Sequence, residues 1–105
     1  MNDNLGVVCI FTSTRTSNIP DVYDEWSEKL AALVTLMPGY LSHSSWRDPS
    51  GKGVTIAYFT DEHSMSNWGS HPVHREAQHL GQVEFYDDYT VEIATITSRR
   101  QWSRP

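Results

Sequence analysis

The stretch "VTIAYFTDEHSMSNWGSHPVHREAQHLG", residues 54–81, decides the fold. Its first six residues are short-run apolar on both parities, which predicts a strand covered on both faces rather than an amphipathic helix. Thr60 or Asp61 then caps a helix that runs through Met65 and Trp68. Gly69, Ser70, His71 and Pro72 interrupt it. Proline is tolerated in a first helical turn, so Pro72 predicts a kink or restart that carries His74, Glu76, Ala77 and Gln78 towards Gly81.

Working back from this stretch, "DPSGKG" at residues 48–53 is a hairpin loop, which pairs residues 54–59 with a strand over Tyr40–Arg47. Before it, Val22, Trp26, Leu30, Leu33, Val34 and Met37 recur at helical spacing, opened by Pro20 and Asp21 and stopped by "MPG" at residues 37–39. Trp26 is expected in the core. Residues 5–11, "LGVVCIF", predict a central strand that "STRTSNIPD" breaks. The last strand is expected over residues 83–97, with Asp87 and Asp88 marking a bulge or bend. The class is α+β: the order β-α-β-β-α-β is ferredoxin-like, with both helices on one face of an antiparallel sheet.

Two helices cover one sheet face only. Yet the first strand sets Val8 and Ile10 against Val7, Cys9 and Phe11, and the third sets Ala57 and Phe59 against Val54, Ile56 and Tyr58. A monomer would leave an apolar patch in water, so a homodimer packed sheet against sheet is expected.

The chain has 105 residues and a formal net charge of -5, enough for one domain with a modest core, expected over residues 5–97 with a tail over 98–105. Its basic residues do not cluster beyond Arg99, Arg100 and Arg104, which argues against nucleic acid as a partner. No apolar run approaches a membrane span, and the opening "MNDNLG" lacks the basic start and apolar stretch of a signal peptide, so a cytoplasmic location is expected. Cys9, the one cysteine, reads as a small buried hydrophobe.

Zinc needs three or four side chains converging on a point. His74 and His79 stand roughly 140° apart around a helix at about 100° per residue. His71 and His74 are separated by Pro72, and a third ligand would require His63 to fold back. No metal is expected. His74 can exchange a proton near neutrality, or its ring can tie the helix restart together. Trp68 reads as core or cavity wall. Tyr40, His43, Trp46 and Tyr58 lie on the hairpin strands, where those facing the helices would floor a pocket for a flat, partly apolar ligand. No serine nucleophile elbow or glycine-rich phosphate loop is present, and Asp87 and Asp88 point to opposite faces as adjacent strand residues.

"MPGYLSHSSWRD" at residues 37–48, "W-x-x-HPVHREAQHLG" at 68–81 and "YDDYTVEIATI" at 86–96, with the order of elements, resemble the antibiotic biosynthesis monooxygenase family. The resemblance implies a dimeric alpha-beta barrel. It also implies a cofactor-independent monooxygenase for a small aromatic or quinol-type substrate, whose own deprotonated form passes electrons to oxygen. In that reading His74 is the base or anion-stabilising donor, Trp68 packs on the substrate ring, and Trp46, Tyr58, His43 and Tyr86 bind it, with Tyr89 a further pocket tip. A haem-degrading branch of the family has a histidine where this chain has Gln78, and His79 is about 100° away, which counts against haem. The other readings are a non-enzymatic dimer that binds or senses a small hydrophobic molecule, and a cofactor-free isomerase or decarboxylase.

Overall fold

The computed structural model describes residues 5–105; residues 1–4, on which the expectation about a signal peptide falls, lie outside the described residues. Strands β1 (Val7–Arg15), β2 (Tyr40–Arg47), β3 (Lys52–Phe59) and β4 (Tyr86–Thr95) form one antiparallel sheet in the order β2-β3-β1-β4. Helix α1 (Val22–Val34) joins β1 to β2, while α2 (Glu62–Gly69) and α3 (Pro72–Leu80) lie between β3 and β4. This is the ferredoxin-like β-α-β-β-α-β arrangement, with the second helix split in two.

The split follows from local chemistry. The Asp61 carboxylate accepts the Ser64 backbone N–H at 2.7 Å and starts α2. Pro72 occupies the first turn of α3, and His71 caps it by accepting the Val73 N–H on Nδ1 at 3.2 Å. The Gln78 side chain donates to the Gly69 carbonyl at 3.1 Å, which satisfies an end group of α2.

Register sorts the side chains by face. Val7 is opposite Phe59, and Cys9 is opposite both Ala57 and Ile93. Phe59, with no exposed surface, packs with Val7, Val34, Met65 and Trp68, so this face carries the helices. Cys9 is half-buried against the same cluster, and burial raises its thiol pKa. The opposite face presents Val8, Ile10, Val54, Ile56 and Tyr58 half-buried, together with Trp46 at 60% exposure. Among the described residues, no helix covers this face.

Three expectations are corrected. Residues 13–15, the start of the expected break, continue β1, because alternating threonines suit a strand and the ladders extend to Thr14 on β3 and to Arg15 on β4. Residues 83–85 are not strand: Gly81–Phe85 forms a π-helical turn that buries Phe85 and leaves Val83 exposed. Thr16 anchors that turn, its N–H donating to the Phe85 carbonyl at 2.9 Å and its hydroxyl to the Glu84 carbonyl at 3.3 Å. Trp26 is half-buried outside the core cluster, with the Lys29 ammonium 4.7 Å from its ring centroid. The inward side chains of α1 are Tyr23, Leu30, Leu33 and Val34, with Met37 packed against the core just past its end.

The bulge in β4 is present. Thr14 pairs with Asp88 and Arg15 with Tyr86, so Asp87 is the extra residue. Past β4, residues 96–105 form no helix or strand, and Trp102 is 74% exposed.

Candidate functional site

His74 lies flat on Trp68, with ring centroids 4.3 Å apart and an interplanar angle of 17°. Its Nδ1 is 3.0 Å from the Trp68 backbone carbonyl. A carbonyl only accepts, so the neutral imidazole carries its proton on Nδ1 and keeps the Nε2 lone pair. Burial pushes the His74 pKa below the ordinary histidine value; the Trp68 carbonyl acts the other way, and nearby His71 adds to the lowering. At neutral pH His74 is therefore an uncharged base, and the same contact ties α3 to the end of α2.

The shift makes stability depend on pH. An unfolded histidine titrates near ~6.5 and the folded His74 lower, so the unfolded chain binds the proton more readily. The stabilisation is complete above about pH 6.5 and is lost as the pH falls through the folded value. His74→Gln should flatten the stability curve measured by urea unfolding between about pH 7 and 5, where the parent chain loses up to ~1.4 kcal/mol per pH unit.

The other expected site residues are dispersed. His43 is on the helix-bearing face, its Nδ1 hydrogen-bonded at 2.7 Å to the hydroxyl of Tyr40, which packs against the core. Tyr40 and His43 share that face despite their odd spacing because the β2 register slips between Tyr40 and Ser42. Trp46 pairs with Val54, and Tyr58 with Ser42 and Val8, which places both on the opposite face from Trp68 and His74. They cannot wall a pocket with that pair. Tyr89 donates nothing to the pair either; its hydroxyl accepts from Gln82 at 2.8 Å.

Tyr86 belongs to a second cluster, at the far end of α1. Its ring is 5.4 Å from Phe11, and its hydroxyl donates to that of Tyr23 at 3.5 Å. Burial and the Tyr23 hydroxyl push the Tyr86 phenol far above its ordinary pKa, against the pull of Arg47 and Arg15, so it stays protonated. The Arg15 and Arg47 guanidinium carbons lie 5.0 and 6.0 Å from the Tyr23 ring centroid. A cavity of about 220 Å³ opens here, lined by Arg15, Tyr23, Ser27, Ser45, Trp46, Arg47 and Thr55. A larger open hollow of about 580 Å³ lies at the hairpin end of the sheet beside Trp46, Lys52, Val54 and Asp88. Neither space is lined by Trp68 or His74.

Arg15, Tyr23 and Arg47 escaped the sequence reading. Arg15 sits in a segment that reads as a strand break, and Arg47 at a strand end. Two signals point to them: the alternating "TST" that extends β1, and Gly53 across the hairpin from Arg47.

Among the described residues, no three of His, Cys, Asp and Glu gather where they could hold a metal ion, and no helix is long and apolar enough to cross a membrane.

No family model matches the chain. The Bacillus subtilis (strain 168) protein YqjZ, described as uncharacterized, is 30% identical over 91 residues, covering 87% of this chain and 79% of YqjZ. SnoaB from Streptomyces nogalater, a cofactor-independent oxygenase, superposes with a TM-score of 0.70 at 19% identity, over 93% of this chain and 97% of SnoaB. A structure described as an antibiotic biosynthesis monooxygenase superposes with a TM-score of 0.76 at 15% identity, over 88% and 99% of the two chains. The chain belongs to the family of YqjZ, and it shares the ferredoxin-like fold of these solved structures.

Proposed function

We propose that the chain is a cofactor-independent monooxygenase for a small aromatic or quinol-type substrate, acting as a homodimer joined through the open sheet face. The observation that carries this is His74, a neutral base with its proton confined to Nδ1, in a fold shared with a cofactor-independent oxygenase. Nε2 takes the proton of a phenol or activated ring methylene, and the resulting anion passes electrons to dioxygen. A carbon–oxygen bond forms at the ring, the O–O bond then breaks, and one oxygen stays as the quinone carbonyl while the other leaves as water. The substrate is its own reductant, and the chain supplies a positioned base and a dry aromatic wall at Trp68. This reading carries no metal, flavin or haem and no nucleic-acid or membrane partner; Gln78 is engaged in capping α2.

A non-enzymatic binding or sensing dimer is the second reading, favoured by one observation: neither cavity touches His74 or Trp68. Oxygen uptake against hydroquinones and anthrones, with quinone absorbance followed in parallel, separates the two. Uptake matched by quinone formation is expected, falling by about 100-fold or more in His74→Gln, in keeping with the loss of a general base. Full turnover by that variant would remove His74 from the chemistry, and tight binding of the compounds without uptake would favour the second reading.

A further inference from the structure

We infer that the cavity between α1 and the hairpin end of the sheet is a binding site for a one-ring aromatic carboxylate. The inference stands apart from the oxygenase reading, since it concerns a space that His74 and Trp68 do not line.

The argument starts from Arg47. A guanidinium has five N–H donors. Arg47 spends three: Nη1 donates to the Gly51 carbonyl at 2.6 Å and to the Ser13 carbonyl at 3.4 Å, and Nη2 donates to the Ser13 hydroxyl at 2.8 Å. The two left over are Nε–H and the second Nη2–H, which run side by side along one guanidinium edge. That edge matches the two oxygens of a single carboxylate. Ser13, 5% exposed, is the buried anchor that holds the fork in place.

The sequence makes room for this posture at Gly53. A Cβ there would stand 2.6 Å from the Arg47 guanidinium carbon and 2.8 Å from Nη1. Only a residue without a side chain lets Arg47 fold back over the sheet onto Ser13.

Arg15 supplies the second cation. Its guanidinium stacks over Tyr23 and makes no side-chain hydrogen bond within the described residues. No carboxylate among those residues pairs with either arginine, in a chain whose net charge is -5. Two half-buried guanidiniums beside one ring repel each other, and an anion between them removes that cost.

The rest of the lining sets the class. Tyr23 offers an aromatic wall, and its hydroxyl accepts from Tyr86, which leaves its own hydrogen free to donate. Ser45 and Thr55 hydroxyls, bonded to each other at 2.7 Å, and Ser27 complete a polar rim. At about 220 Å³ the space is smaller than the roughly 300–1,000 Å³ pockets of drug-sized ligands, which limits the occupant to a single ring.

Isothermal titration calorimetry of the full chain with salicylate, and with its neutral counterpart salicylamide, tests this. Saturable one-to-one binding of salicylate is expected, with salicylamide weaker by about tenfold or more, the value of a charge-assisted hydrogen-bond pair. Arg15→Gln and Arg47→Gln should each weaken salicylate by about tenfold. Gly53→Ala should do the same with both charges retained, a loss that a diffuse charge effect would not produce. Arg75→Gln, which removes an exposed arginine on α3, should leave binding within about twofold. Arg47 also ties strands together, so Arg15→Gln, which breaks no hydrogen bond, keeps the test sound if the Arg47 variant unfolds. Equal binding of salicylate and salicylamide, unchanged salicylate binding by Arg15→Gln, equal competition by inorganic phosphate, or no saturable binding would each overturn the inference.

Discussion

Phe59→Ala should lower the urea midpoint of unfolding by on the order of 2 M, the largest effect of any single truncation in the chain. Among the described residues, Phe59 is the one large side chain with no exposed surface. It stands at the end of β3 opposite both Val7 on β1 and Tyr40 on β2, so three strands meet at its ring. Val34 from α1 and Met65 and Trp68 from α2 close over the same spot. Truncation to alanine forfeits about 3–5 kcal/mol of transfer and cavity energy, against a total stability of about 5–15 kcal/mol for a domain of this size. Met65→Leu, a volume-conserving change in the same cluster, should cost less than about 1.5 kcal/mol. A Phe59 variant as stable as the Met65 one would mean that the core does not centre on this residue.

Phe59 also shows why much of the fold was legible. The strand that ends in Phe59, the Asp61 cap and the Pro72 restart are written in residue types with few alternatives. Asp61 bonds Ser64 and His71 bonds Val73 through local geometry that no distant contact needs to arrange. The α1 stripe was legible only in its second half. Leu30 and Val34 reach the core, but Val22 is 41% exposed and Trp26 lies under Lys29, because the first turn of α1 turns Tyr23 inward to the arginines. An apolar stripe cannot anticipate a tyrosine whose partners are cations on two strands, eight residues before it and twenty-four after it. The start of β4 was misread for a related reason. Val83 and Phe85 keep strand parity, but their conformation is set by Thr16, which bonds the carbonyls of Glu84 and Phe85 from the other end of the chain.

The candidate site divides along the same line. His74 and Trp68 are six residues apart on adjoining helical segments, and their pairing is a local consequence of the restart. Trp46 and Tyr58 were grouped with them because alternation on one strand does not say which face a residue takes. The slip after Tyr40 moves Trp46 to the face with Val54, and it is the register of three strands together that separates the two aromatic residues from the helices. The Arg15, Tyr23 and Arg47 cluster joins β1, α1 and β2, so no window of sequence contains it.

Ile10→Asp should convert the proposed dimer of 12.0 kDa chains to monomers, raising the dissociation constant by about 100-fold or more, as read by sedimentation equilibrium. Ile10 is opposite Ile56 on β3 and Glu92 on β4, in the middle of the face that carries no helix. Val8, Val54, Ile56, Tyr58 and the exposed Trp46 surround it on the three strands β1, β2 and β3, an apolar field that the two-fold partner of the proposed dimer would cover with its own copy. An aspartate there brings two carboxylates, one from each chain, into an interface with no basic side chain beside them on β1, and the unpaired charges cost several kcal/mol to desolvate. Val91→Asp is the informative companion. Val91 is opposite Phe11 on the helix-bearing side of the same sheet and is 50% exposed, so it places the same charge one face away. If Val91→Asp leaves the mass unchanged while Ile10→Asp halves it, the sheets pack through their open faces. The reverse pattern would move the interface to the outer edge of β4, and a parent chain of 12.0 kDa in solution would leave the open face to some other partner.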